Sequence, residues 1–271
     1  MMIDYCCIPN KSKHIRKTPN TNFKNFTYIM NVLFPRDVDI SEIEFSDVRP
    51  YGDKAKIVYV NHNKSPIVIQ TPIMKTPYGI SGFEADNGNV KYSLDLSFGS
   101  TNPRVGELRE FLDTLDDKIL DTSVWKSLDW FKKKNQSRDV SDALFTRSVK
   151  LATENGEITD KYPPTFKMKV ANYDGKFKPI VFNCQREQLD NDLDSLVSKG
   201  QRLTAIVKLN GIWLAGGKFG LVWDLQQIKL EKREDITEYA FNDDDDELLA
   251  DDTINKPDND NDYILDSDED L

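Results

Sequence analysis

Residues 199–230, KGQRLTAIVKLNGIWLAGGKFGLVWDLQQIKL, leave little freedom in how they fold. Two apolar runs, 203–215 and 218–230, flank Gly216-Gly217. A two-residue hairpin turn needs positive φ at its centre, and Gly-Gly supplies it without steric penalty. Both runs are rich in β-branched, aromatic and aliphatic residues, so they read as strands rather than helices. Alternation puts Leu203, Ala205, Val207 and Leu209 on one face and Thr204, Ile206, Lys208 and Asn210 on the other. The simplest pairing sets Trp213 opposite Gly220, with Trp223 on the other face. A bulge at Gly211 is the alternative that would flip this register.

The hairpin also carries Arg202, Lys208, Trp213, Lys218, Phe219 and Trp223 close together. Cations beside flat rings suit a single-stranded nucleic acid, with cations for phosphates and rings for bases. The competing reading is that tryptophans in strands are core residues.

The rest of the chain is read around this hairpin. Short β-rich runs are expected within residues 42–50, 55–60 and 66–71, followed by a Pro/Gly-rich loop over 71–84 with Lys75, Tyr78 and Phe83 exposed. Residues 90–98 alternate as a strand. Asn102-Pro103 is an N-cap followed by proline at the first helical position. Val105, Leu108, Leu112, Leu115, Ile119 and Leu120 follow at helical spacing. A break is expected at 121–123, after which Trp125, Leu128 and Phe131 continue the stripe. Lys132-Lys133-Lys134 reads as compensation of a helix C-terminus. Residues 142–150 show no clear period. Residues 165–170 read as a strand with Phe166, Met168 and Val170 on one face and Lys167 and Lys169 on the other. A second hairpin turns at Tyr173-Asp174-Gly175-Lys176, and a short helix is expected over 188–197. About seven strands with one long helical segment make a mainly β chain. No glycine-rich strand-to-helix turn is present, which argues against a parallel dinucleotide-binding fold. An antiparallel barrel with a long helical insertion fits better.

Charge divides the chain. The formal net charge is −10. Residues 235–271 hold 16 Asp plus Glu against one lysine, while residues 1–234 hold 35 basic and 30 acidic residues, a net of +5. A mildly basic body thus carries a strongly acidic tail, which cannot bury enough apolar area to order itself. The organisation expected is a flexible basic arm over 1–24, a folded domain over 25–234 and a disordered acidic tail over 235–271. Tyr263, Ile264 and Leu265 interrupt the acidic run, and Asp268, Glu269, Asp270 and Leu271 close it. Spaced negative charge with stackable groups imitates a single DNA strand; a solubility tail is the plain alternative.

Little points to catalysis. The two histidines are His14 and His62, and no nucleophile elbow, phosphate-binding loop or HExxH motif occurs. Asp116-Asp117 reads as a solvated helix face rather than an acid–base pair. Cys6, Cys7 and Cys184 suit neither a zinc site nor a disulfide framework, so no metal and no cofactor is expected. No apolar run reaches the ~18–20 residues of a membrane span. The reading is an intracellular protein without a membrane segment and without enzymatic activity.

The runs YPPTFKMKV, YDGKF and LVSKGQRLTAIVKLNGIWLAGGKFGLVWDLQQIKL together resemble single-stranded-DNA-binding proteins of nucleocytoplasmic large DNA viruses, which are similar to the replication single-strand binders of short-tailed phages. The close resemblance covers residues 162–230. It implies an OB-fold-like barrel with a helical insertion and an acidic tail. It implies sequence-independent coating of single-stranded DNA in viral replication, recombination or repair, at the replication site in the nucleus or a cytoplasmic factory. It also implies tail contacts, through Tyr263, Ile264, Asp268, Glu269, Asp270 and Leu271, with partners such as a DNA polymerase or helicase-primase, and it admits a homodimer. The phage tails end in an aromatic residue, whereas this chain ends in Leu271. The DNA-contact candidates are Arg202, Lys208, Trp213, Lys218, Phe219 and Trp223, with Lys167, Lys169, Lys75 and Tyr78 beside them. A virion structural or assembly protein is the alternative from another class.

Overall fold

The last hairpin forms as its sequence demands and supplies two of the five strands of a closed barrel. A computed structural model describes residues 31–52, 55–85, 88–190 and 192–232. The basic arm and the acidic tail, including Tyr263, Ile264, Asp268, Glu269, Asp270 and Leu271, lie outside the described residues. The elements that build the barrel and the site are, in chain order, β1 (Ala55–Val58), β2 (Val68–Gln70), β3 (Met74–Lys75), β4 (Ile80–Glu84), β5 (Val90–Ser97), α1 (Pro103–Trp125), α2 (Ser127–Phe131), α3 (Arg138–Leu144), β6 (Phe145–Thr146), β7 (Val149–Lys150), β8 (Thr165–Val170), β9 (Ile180–Phe182), α4 (Leu193–Leu196), β10 (Arg202–Ala215) and β11 (Lys218–Leu230).

The pairings close a ring. β2 and β3 act as one broken strand that pairs with β10, and β3 also pairs with β5. β5 pairs with β8, β8 with β11, and β11 returns to β10. Every pairing in the ring is antiparallel except that of β8 with β11. Numbering the barrel strands one to five along the chain gives the cyclic order 1-2-3-5-4, with the third and fifth parallel. This is the five-stranded OB-fold barrel. The expected barrel is therefore present, with one parallel contact that sequence alternation does not reveal. The helices α1 to α3 are inserted between its second and third strands.

Gly216 and Gly217 turn the hairpin with φ of 58° and 79°. Counted back from that turn, Trp213 lies opposite Gly220, as the simplest pairing requires. The register shifts at Gly211 as well, and again between Ile206 and Val207. The shift at Gly211 lies beyond Trp213 from the turn, so it leaves that pair intact. It changes which residues point inward, from Leu203, Ala205, Val207 and Leu209 before the shift to Ile212 and Leu214 after it. Gly211 sits at φ 146°, and a Cβ there would stand 2.5 Å from the Val58 carbonyl oxygen. Only glycine lets β10 cross β1 so closely.

Helix α1 starts where Asn102 places it. The Asn102 side chain accepts a hydrogen bond from the Arg104 N–H at 3.0 Å, and Pro103 follows at the first helical position. Val105, Leu108, Leu112, Leu115, Ile119 and Leu120 are all buried in the same core as the barrel interior. Two expectations fail here. The helix does not break at 121–123 but runs on to Trp125, with the Thr122 and Ser123 hydroxyls donating to the Lys118 and Leu120 carbonyls within it. From Trp125 on, the buried face rotates: Trp125 is 89% exposed and Leu128 half-exposed, while Trp130 is buried. Lys132 then takes a left-handed conformation and ends α2.

Two further expectations are corrected. Residues 71–84 are not a plain loop, since β3 and β4 form within them. The helix expected over 188–197 shrinks to α4, and Gln188–Leu189 is a strand paired with β9. Among the described residues no helix is long and apolar enough to cross a membrane.

Candidate nucleic-acid interface

The chemistry collects on the outward side of β5, β8 and β11. In β8 the inward positions Phe166, Met168 and Val170 are buried, so Lys167 and Lys169 point out. Cross-strand pairing sets Lys167 opposite Asp95 and Lys169 opposite both Ser93 and Asp224. Lys208 on β10 lies on the other side of Asp224.

A groove of about 400 Å³ opens over these strands. Lys91, Arg147, Lys150, Lys167 and Lys169 line it, and among the described residues no Asp or Glu does. Trp213 and Phe83 line it as well. Phe83 is 69% exposed. Trp213 is half-buried and rests over Gly220, where a Cβ would come within 3.1 Å of the indole Nε1 and 2.9 Å of the Thr146 carbonyl oxygen. Glycine at 220 thus lets both the indole and β6 come this close to the strand.

The wall formed by residues 145–150 is fixed from α1. Asp116, expected on a solvated face, is fully buried. Its carboxylate accepts hydrogen bonds from the Ser148 backbone N–H at 2.7 Å and the Ser148 hydroxyl at 2.8 Å. Burial outweighs these bonds and pushes its pKa up to about 6. On either side of Ser148 stand the two cations of this wall. Arg147 donates to Asp142 at 2.6 Å and to Asp117 at 3.2 Å. Lys150 has its pKa lowered by burial and then by the charge of Lys167, with Asp95 opposing. The carboxyls of Asp95 and Asp224 are both raised by burial, against the pull of the neighbouring lysines. Crowded ammonium groups with too little counter-charge favour an incoming anion.

The sequence candidates separate into three groups. Lys167, Lys169 and Trp213 meet in the groove, and Lys208 adjoins it across Asp224. Arg202 pairs with Lys75 toward the other end of β10, Lys218 stands at the hairpin tip beside Lys56 and Lys133, and Tyr78 is exposed on the loop after β3. Phe219 and Trp223 are corrected to core positions. Phe219 is fully buried against Phe131 and Phe145, and Trp223 packs edge-on against Phe166. Barrel closure turns their side of β11 inward, so Phe219 is sealed off and Trp223, which lines the floor of the groove, keeps only 3% exposure.

Arg147, Lys150 and Lys91 join the site without a sequence signal that marks them. Residues 142–150 carry no strand or helix period, and what places Arg147 and Lys150 is a hydrogen bond to a residue on another element.

Comparison with known proteins adds the following. The chain is similar to the single-stranded DNA-binding protein of bacteriophage Enc34 in complex with single-stranded DNA, at 15% identity and a TM-score of 0.43, covering 70% of this chain and 96% of that one. It is similar to the single-stranded DNA-binding protein of bacteriophage T7 at 13% identity and a TM-score of 0.40, covering 65% and 97%. An uncharacterized protein of Acanthamoeba polyphaga mimivirus is 23% identical over 170 residues, which are 61% of this chain and 26% of that protein. The chain therefore spans about a quarter of that relative's length. A family profile matches residues 95–243, more than half of the chain, and the chain belongs to that family, one of unknown function (DUF5871).

Proposed function

We propose that this protein binds single-stranded DNA without base-sequence preference and performs no chemistry on it. The observation that carries the reading is the groove itself, with five cations, no lining carboxylate among the described residues, and the rings of Trp213 and Phe83 at its surface. Lysines there meet phosphates, and the rings stack bases at ~1–3 kcal/mol each. Stacking of this kind needs unpaired bases, so a duplex is a poorer ligand. The OB-fold supports the reading, because the face of its second and third strands, here β5 and β8, is where such barrels take oligonucleotides.

The process served is DNA replication, recombination or repair of a virus, in the infected cell where viral DNA is made. The resemblance of residues 162–230 to viral single-strand binders supports this. The segment 235–271 enters by charge alone. As a polyanion it competes with DNA for the groove's cations, and its Tyr263, Ile264 and Leu271 offer apolar contacts to replication enzymes.

Fluorescence polarisation with labelled oligothymidylate and a matched duplex tests the proposal. Single strands should bind more tightly than duplex, and binding should weaken steeply with salt as counterions are released. Removal of residues 243–271 should tighten binding most at low salt, where the tail is least screened. Protein that leaves oligothymidylate unbound at low salt, with and without the tail, would refute the reading.

A further inference from the structure

The outward face of the β10–β11 hairpin continues well past the groove. Trp213 pairs with Gly220, Lys208 with Asp224, Ile206 with Gln227 and Thr204 with Lys229. Thr204, Ile206 and Lys208 alternate with the buried Leu203, Ala205, Val207 and Leu209, and the shift at Gly211 brings Trp213, between the buried Ile212 and Leu214, onto the same face; Thr204 is itself largely covered. At ~3.3 Å per residue, the stretch from Trp213 to Thr204 covers about 30 Å.

Two adjoining clefts of about 330 and 210 Å³ open at its far end and share Gln70, Thr204 and Lys229. Phe182 and Arg186 wall the first; Phe34, Arg36, Arg104 and Glu107 wall the second. Arg36 lies 3.6 Å from Glu107, and Lys229 lies 3.1 Å from Glu231. Arg104 and Arg186 have no ion-pair partner among the described residues. Arg186 is held in place by its turn: the Asn183 side-chain oxygen accepts from the N–H groups of Gln185 and Glu187, both at 2.9 Å. The same asparagine donates to the Glu187 carboxylate at 2.8 Å, which engages the one acid next to Arg186 in sequence.

We propose that these clefts are a second, distal site for the same strand of DNA, which runs lengthwise along the hairpin from Trp213, past Lys169 and Lys208, to Arg186 and Arg104. The inference rests on the reading of the groove as a single-strand site. Its own support is the spacing of chemistry along one face. Cations stand at both ends and in the middle, Ile206 offers apolar surface along the way, and Phe182 and Phe34 do so in the distal clefts. Asp224 midway and Glu107 in the second cleft are acids on this path; Lys169, Lys208 and Lys178 act on the first carboxyl, and Arg36 pairs with the second.

Oligothymidylates of about 4 and about 16 nucleotides, the limits of site size for one such barrel, provide the test. The full chain carrying Arg104→Ser and Arg186→Ser is compared with the wild type by polarisation across a salt series. Both arginines are exposed, and circular dichroism checks that the fold is kept. The 16-mer should bind about tenfold more weakly to the variant, with its salt slope reduced by about 1.4, two contacts at ~0.7 each. The 4-mer, satisfied at Trp213, should bind as to the wild type. Lys167→Ser with Lys169→Ser should weaken both lengths. An unchanged 16-mer overturns the distal site, and so does an equal loss for both lengths. A site for free phosphate alone would give the unchanged result, because it would add nothing to a long strand. Wild-type protein that binds neither length defeats the single-strand reading itself, and the distal site falls with it.

Discussion

Asp116 on α1 holds Ser148, 32 positions along the chain, through two hydrogen bonds to one buried carboxylate. That contact ties the helical insertion to the wall of the groove. Its pKa of about 6, against an ordinary 3.8, makes it a source of pH-dependent stability. Between those values the folded state holds a proton that the unfolded state releases. Stability from this group therefore falls as pH rises through the window, by on the order of 3 kcal/mol at 1.36 kcal/mol per unit. Asp116→Asn keeps an acceptor for the Ser148 N–H and can donate to the hydroxyl. Urea melts at pH ~4 and ~7 should show the wild type losing stability relative to this variant as pH rises; a constant difference would contradict the assignment.

Asp116→Ala should behave differently. It leaves the buried Ser148 N–H without an acceptor and costs about 1–3 kcal/mol. Because Arg147 and Lys150 flank Ser148, single-strand affinity should fall as well, measured on protein verified to be folded.

The aromatic residues of the hairpin should sort by what they touch. Trp213→Ala should lower affinity for oligothymidylate by about 1–3 kcal/mol. Phe219→Ala and Trp223→Ala should instead lose about 3–5 kcal/mol of folding stability, because each empties a packed core position. Denaturant midpoints and binding isotherms on the same samples separate the two effects.

Asp95 and Asp224 stand among the groove's lysines and oppose an incoming polyanion. Their carboxyls titrate above the ordinary range because burial raises them. As pH falls through those raised values they lose charge, the groove becomes more positive, and DNA affinity should rise. Asp95→Asn and Asp224→Asn should each tighten binding at neutral pH and weaken its pH dependence, read from isotherms at constant ionic strength.

What the sequence disclosed was local. The Gly216-Gly217 turn, Trp213 opposite Gly220, the alternation of Lys167 and Lys169 with Phe166 and Met168, and the Asn102 cap all depend on neighbours within a few positions or one turn. What it withheld depends on distance. Phe219 and Trp223 look like ring platforms until the barrel closes over them. Trp125 continues a helical stripe in sequence, yet the helix ends at its position and the buried face rotates to Trp130. Arg147 and Lys150 gain a role only through Asp116, and no period in residues 142–150 announces it.

The position of β10 and β11 in the ring also governs when the fold can form. They are the last strands of the barrel to leave the ribosome, and between them they pair with its first and third strands. The insertion separates Asp95 from Thr165 by 70 positions, although the two side chains meet across β5 and β8. Such long closures make folding slow. A nascent chain that stops short of Leu230 is an open sheet with unpaired edges, the form of a β protein most prone to aggregate. Folding during synthesis must therefore wait for the final hairpin, and a chaperone that shields strand edges has its longest task on this chain just before that hairpin emerges.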